Sequence, residues 1–163
     1  MVSIRKARLA DVGVLASMEE RYALDQKQLV LRENPRLRPY MQRRRGKLGE
    51  IKKWLRKCIR STRCLVFLAE ADGRPIGFCV ASIQTSPPIR RLRRYGSIDL
   101  LYVQESWRAR GISSLMMKTI LAWFRRRQVK HLSLQVIRDN RLARSIYAKW
   151  GFYDFFVEMR RKL

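Results

Sequence analysis

Histidine occurs once, at His131, and cysteine three times, at Cys58, Cys64 and Cys79. An odd set of thiols without ligand spacing, beside a single imidazole, argues against a structural zinc site and against a disulfide framework. Reduced thiols in a cytoplasmic protein are the expectation. Carboxylates are scarce too: 13 Asp and Glu stand against 37 Lys and Arg, a formal charge of +24. Any chemistry that needs a carboxylate base therefore has few candidates. No apolar run approaches the ~18 residues of a membrane span, and MVSIRKARLADVG lacks the apolar stretch and cleavage site of a secretory signal. Internal repeats, low-complexity tracts and linkers are missing as well. What is present is 47% apolar residues in a chain of 163, enough for one globular domain over residues 1–163 with its own core.

The charge attracts polyanions and repels small polycations through its long-range field. It fits contact with nucleic acid or the ribosome, and equally a general basic bias without a specific partner. Apolar periodicity places the elements. VSIRKA (2–7) reads as an edge strand, and Asp11 caps a helix with Val14, Leu15, Met18 and Tyr22 on one face. Leu48, Ile51, Leu55 and Cys58 form the apolar stripe of a basic amphipathic helix. CLVFLAEA (64–71) and IGFCVASIQ (76–84) flank an Asp-Gly turn, a hairpin signature. TSPPIRRLRRY (85–95) reads as a loop and SIDLLYV (97–103) as a third core strand. From Gly111, a helix carries Ile112, Leu115, Met116, Thr119, Trp123 and Phe124 on a broad face. HLSLQVIR (131–138) alternates as a strand, Asn140 caps a short helix that ends at Gly151, and FYDFFVEMRR (152–161) reads as a closing strand.

Between the strand at 97–103 and the helix at Gly111 lies SWRARGISSL (106–115). Strand, short turn, glycine and helix is the arrangement that aims free backbone N–H groups and the positive end of a helix dipole at an anion. Ala109, Gly111, Ser113 and Ser114 are small enough for a phosphate to approach the main chain, while Arg108 and Arg110 add charge. The stretch lacks the Lys-Ser/Thr ending of a nucleotide-triphosphate loop and the three glycines of a dinucleotide fold.

The downstream spacing is more specific. Leu101–Tyr102–Val103, then Arg108, Gly111 and Ser113, an amphipathic helix, and Asn140, Ala143, Tyr147, Gly151 and Phe152 together resemble the GNAT superfamily of acetyl-CoA-dependent N-acetyltransferases. The resemblance is dense over residues 97–152. It implies a mixed α/β (α+β) fold: a mostly antiparallel sheet with a central parallel strand pair splayed around the cofactor, and helices on both faces. It also implies acetyl-CoA as acetyl donor, its pantetheine arm beside the backbone of Leu101 and Val103 and near Tyr102. The pyrophosphate would lie on the amides of Arg108, Ala109, Arg110, Gly111, Ile112, Ser113 and Ser114. Asn140 would contact the arm, and Tyr147 would be the general acid that protonates the leaving thiolate. An N–H such as that of Leu101 would stabilise the oxyanion.

The proton acceptor is the open question. A position often acidic in this family holds Gln135, which cannot titrate. Asp99 is the first candidate, expected on the same strand face as Ser97, Leu101 and Val103; an ion pair with an arginine is its alternative. Glu19 and Glu20 are the fallback. His131 starts a strand whose far end would face the cofactor, some ~20 Å away. The implied reaction is direct acetyl transfer to a primary amine on a protein, a peptide (N-terminus or lysine) or another acidic or phosphate-bearing acceptor. Arg36, Arg38 and Arg43–Arg44–Arg45 would line the acceptor rim. A homodimer is compatible with this reading. The rival is a GNAT-like module that binds CoA or RNA without transferring acetyl, and Gln135 and the charge motivate it.

Overall fold

The computed structural model describes residues 1–43 and 46–161. In chain order it contains β1 (Val2–Lys6), α1 (Val12–Glu33), α2 (Lys47–Arg60), β2 (Cys64–Ala71), β3 (Arg74–Thr85), β4 (Arg94–Val103), α3 (Ile112–Arg126), β5 (Leu132–Leu134) and α4 (Arg141–Lys149). The five strands form one sheet in the order β1-β2-β3-β4-β5. All neighbours are antiparallel except β4 and β5, which run parallel. The β2–β3 turn follows its Asp-Gly sequence: Asp72 and Gly73 both have positive φ, 49° and 76°, as a hairpin turn twisted like its strands requires.

Alternation along the strands splits the core between the two faces. Phe67, Cys79, Ile83 and Ile98 pack under α3 with Met116, Met117, Ile120 and Phe124. Leu68, Phe78, Val80 and Tyr102 pack on the opposite face with Leu15 of α1 and Leu55 of α2. Gly96 lets α3 lie close to the sheet, since a Cβ there would sit 2.4 Å from the Phe124 ring and 2.6 Å from Leu132. Asp11 stands at the N-cap position of α1 but its side chain caps no amide of that helix. Its carboxylate turns back instead, taking two hydrogen bonds from Arg5, each 2.8 Å, and one from the Arg8 N–H at 2.7 Å.

Three of the expected boundaries move. Strands β3 and β4 extend into the basic loop, reducing it to 86–93. The strand expected over 131–138 pairs only at 132–134, because β4 turns away from it after Ile98. Residues 152–161 form no strand. They leave α4 as an extended segment in which Tyr153, Phe155, Phe156, Val157 and Met159 are all exposed. The parallel pair consequently closes one end of the described sheet.

The turn away from β5 has a local cause. Val80 pairs with Leu100 and Ala81 with Ile98, so two steps of β4 oppose one step of β3 and Asp99 is the extra residue of a β-bulge. A bulge bends and twists its strand, and the β4–β5 ladder ends at Ile98–Leu134, immediately before Asp99. Beyond that point the parallel strands part.

Candidate active site

The slot between β4 and β5 exposes main chain. The Gln104 N–H donates to Ile76 C=O at 2.9 Å on the β3 side. Main-chain groups alternate sides along a strand, which turns those of Leu101 and Val103 towards the opening, where no strand of the described residues pairs with them. Their side chains pack with Ile98 and α3, while Leu100 and Tyr102 face α1 and α2.

Asp99 departs from the expectation at this point. The bulge shifts the strand's phase by one residue. Asp99 therefore shares its face with Ser97, whose hydroxyl donates to it at 2.6 Å, and not with Leu101 and Val103. A second hydroxyl, from Ser82, donates to the other carboxylate oxygen at 2.6 Å. No arginine pairs with Asp99 among the described residues. Its negative charge also helps raise the pKa of the buried Cys79 thiol, after burial itself.

Tyr147 packs against the α3-side core. Its ring stands on α4 against Phe152, centroids 6.0 Å apart in an edge-to-face pair. Burial, then the neighbouring Tyr22 and Cys79, push its phenol up to about 12. The phenol consequently stays protonated across the physiological range. Among the described residues its hydroxyl makes no hydrogen bond, and no side-chain polar atom is buried without a partner.

The turn after β4 forms a cradle. Ala109 and Gly111 have φ of 59° and 75°, and Gly111 caps α3, whose first helical bond runs from the Leu115 N–H to Gly111 C=O. The amides of Ile112, Ser113 and Ser114 precede that bond and have no intrahelical acceptor. A Cβ at Gly111 would meet nothing within 4 Å, so the space over the turn is open. Two expectations for this stretch narrow. The Arg108 N–H donates to Glu105 C=O at 3.1 Å, and so the cradle begins at Ala109. The Arg108 guanidinium binds Asp25 of α1 and Val103 C=O, and stands 5.8 Å from the Tyr102 ring, which makes it a strut between α1 and the turn. Arg110 stacks on Trp107 at 5.0 Å.

Asn140 caps α4 by accepting from the Ala143 N–H at 3.1 Å, and its side-chain NH2 makes no hydrogen bond among the described residues. Ser113 and Ser114 share an open depression of about 400 Å³ with Ile146, Lys149 and Trp150. None of these three was expected from the sequence as a site residue, although the spacing of Ile146, Lys149 and the C-cap Trp150, i, i+3, i+4, puts them on one face. On α1, Glu19 is buried and takes two hydrogen bonds from Arg43, at 2.6 and 2.8 Å. Its carboxylate is thereby committed, and Glu20 is the freer of the two fallback acids. Arg44 and Arg45 of the expected rim lie outside the described residues. His131 contributes its C=O to the Gly96 N–H at the far end of β5.

A mostly antiparallel sheet with one parting parallel pair, a helix N-terminus at its mouth and helices on both faces is the arrangement of the acetyltransferase (GNAT) fold. The chain belongs to the acetyltransferase (GNAT) family, whose model matches residues 23–152. Solved structures agree in fold. A predicted acetyltransferase with acetyl-CoA from Clostridium acetobutylicum superposes with a TM-score of 0.79 at 20% identity, covering 98% of this chain and 96% of that one. A ribosomal-protein-alanine N-acetyltransferase from Brucella melitensis biovar Abortus 2308 gives 0.70 at 19% identity, with 100% of each chain covered. An aminoglycoside 6'-N-acetyltransferase from Acinetobacter baumannii gives 0.69 at 14% identity, over 100% and 99%. A search of curated proteins returns no significant match. The family uses acetyl-CoA. Free first-turn amides, the open space over Gly111 and the β4 edge at Leu101 and Val103, which no strand of the described residues pairs, suit its pyrophosphate and amide-bearing arm. Among the described residues, no helix is long and apolar enough to cross a membrane.

Proposed function

We propose that the chain transfers acetyl from acetyl-CoA directly to a primary amine carried on a protein, a peptide or another acidic or phosphate-bearing molecule. What supports this reading is the Tyr147 hydroxyl, raised by burial to about 12 and without a hydrogen-bond partner among the described residues, together with the β4 edge at Leu101 and Val103 that no strand of the described residues pairs. When bound, acetyl-CoA supplies an activated acyl carbon and a thiolate leaving group. The Ala109–Ser114 turn holds the phosphates by N–H donors and dipole, and Lys149 adds charge from the side. Asn140 holds the arm with its free NH2 group. The Leu101 N–H, directed into the slot, donates to the carbonyl oxygen as negative charge develops there. Tyr147 keeps a proton for the departing sulfur. Asp99, set by two serine hydroxyls, accepts the ammonium proton, with Glu20 as the second candidate.

The acceptor reading rests on charge. Two of the carboxylates on the acceptor side, Glu19 and Asp25, are neutralised by Arg43 and Arg108. Arg36 and Arg38 stand nearby in the 35–41 turn, so the excess positive charge of the chain favours an acidic carrier over a free polyamine. Thiol release measured with an amine panel at low salt tests this: acidic peptides should turn over faster than spermidine, and the reverse order refutes it. Acetyl-CoA binding without thiol release from any amine would leave a binding module in place of the enzyme. Nucleic-acid or ribosome contact is the remaining partner proposal. Lys53, Arg56, Lys57 and Arg60 line an open depression of about 440 Å³ with Ser61 on α2, which is the surface to probe by the salt dependence of binding.

A further inference from the structure

The excess positive charge is not spread evenly. Residues 51–69, 73–98 and 106–138 contain no Asp or Glu. Carboxylates gather at one end of the sheet, with Glu70 and Asp72 about the β2–β3 turn and Glu105 just after β4. The three connections at the opposite end carry cations only. Arg60 and Arg63 belong to the connection from α2 to β2, and both are exposed. The β3–β4 loop and the start of β4 add Arg90, Arg91, Arg93 and Arg94, again exposed. The end of α3 and its link to β5 add Arg125, Arg126, Arg127 and Lys130. Hydrogen bonds stitch these connections into one surface. The Arg63 guanidinium donates to Ile83 C=O at 3.0 Å and to Thr85 Oγ1 at 2.8 Å, beside the β3–β4 loop. Arg127 donates to Thr62 C=O at 2.6 Å, and the Gly96 N–H to His131 C=O at 2.8 Å. None of these ten side chains is in an ion pair among the described residues.

Helix dipoles account for little of this charge. Both α2 and α3 end here, and their two C-termini together present about one unit of negative charge. We propose that this basic end of the sheet is a docking surface for the phosphate backbone of a nucleic-acid duplex. It gives a place to the nucleic-acid contact proposed for the chain, and it does not rest on acetyl transfer. From β2 to β5 the surface crosses three strand spacings, about 14 Å. A duplex carries one negative charge per ~1.7 Å of axis, hence about eight over that width, close to the number of cations facing it. Arg60 continues the surface along α2, where Lys53, Arg56 and Lys57 line the neighbouring depression. No Phe, Tyr or Trp lies in 60–63, 86–94 or 125–131, so the stacking platform that single strands use is missing. A lipid surface fits less well, because Ile89 and Leu92 are the large apolar side chains exposed there and form no amphipathic helix. Arg94 and Val103 lie at opposite ends of β4, about 30 Å apart, so a docked duplex leaves the cofactor slot open.

The test is fluorescence anisotropy of a labelled DNA duplex of about 20 base pairs with the full chain, over the salt range ~50–200 mM. Affinity should fall roughly 10³–10⁵-fold over that range, as for about 6–10 phosphate contacts. Arg90→Gln, Arg91→Gln and Arg125→Gln together should weaken binding on the order of 10²–10³-fold near ~0.1 M salt and flatten the log–log salt slope by about 2.7. Arg74→Gln, Arg138→Gln and Arg141→Gln remove the same charge outside the surface and should change affinity only a few-fold. All six side chains are exposed, so both variants should keep the wild-type melting temperature. Saturating acetyl-CoA should leave duplex binding unchanged. Equal losses in the two variants would reduce the effect to net charge, and displacement by acetyl-CoA would put the duplex on the cradle. Tighter binding to a single strand or to anionic phospholipid vesicles would name a different partner. Each of these results, or no binding at the lowest salt, overturns the proposal. None of the readouts involves thiol release, so a failed transfer assay and a failed docking surface are told apart.

Discussion

Replacing Tyr147 by Phe removes one oxygen and keeps the ring that packs on Phe152. Two separate consequences follow from the position of that oxygen. If it delivers the proton to the leaving thiolate, kcat should fall by roughly 10²–10⁴, which is about 2.7–5.5 kcal/mol of transition-state stabilisation. The KM for acetyl-CoA should change far less, since the phosphate cradle and the Leu101 and Val103 main chain are untouched. The second consequence concerns stability. Burial raises the folded phenol from 10.0 to about 12, so the folded state disfavours the phenolate. Below pH 10 both folded and unfolded phenols are protonated and the group adds no pH dependence. Between pH 10 and about 12 the unfolded phenol ionises first, and folding loses at most ~2.7 kcal/mol, about 1.36 per pH unit. The Phe variant lacks this loss. Urea unfolding of both proteins at pH 8 and pH 11.5 would show a smaller alkaline decrement in the variant, and steady-state thiol release would give the kinetic split. Turnover within a few-fold of wild type refutes the acid role. Equal alkaline decrements refute the assignment of the raised phenol.

Three further outcomes are expected. Asp99→Asn should lower kcat/KM by about 10²–10⁴ near neutral pH, and the deficit should shrink at alkaline pH, where free amine no longer needs a base; a deficit constant from pH 7 to 10 points to a structural role. Gly111→Val places a branched side chain at φ +75° and in the open space of the cradle. It should weaken acetyl-CoA binding by calorimetry with little effect on the rest of the fold, and unchanged affinity removes the cradle assignment. Gly96→Ala drives a Cβ into Phe124 and Leu132 and should cost about 1–3 kcal/mol in chemical denaturation; a neutral change would mean α3 can retreat from the sheet.

Elements with a strong local signal were legible without coordinates. The Asp-Gly hairpin, the stripe of α2 and the α3 and α4 starts at Gly111 and Asn140 all rest on neighbours within a few residues, and they sit where expected. The misjudged features depend on distant partners. No local pattern announces a bulge: Asp99 is the extra residue only because β3 supplies one step where β4 supplies two. Simple alternation therefore put it on the wrong face. Arg108 looked free for an anion, and its partner Asp25 lies 83 positions away. Arg43 and Glu19 are likewise joined across 24 positions. Residues 152–161 alternate as a strand should, yet pairing needs an available edge as well as a pattern, and the chain does not bring them to one.

The bulge at Asp99 also changes what a ligand is in this sheet. Past Ile98, β4 continues as a strand whose second hydrogen-bonding edge is paired by no other strand among the described residues and is touched only by the Arg108 guanidinium at Val103 C=O. An extended amide-bearing molecule lying there would complete the ladder as a surrogate strand. Affinity and folding would then share the same hydrogen bonds. Filling the slot should raise the melting temperature by stiffening β4 and β5 together, and emptying it should return the sheet to its five-stranded, one-sided form.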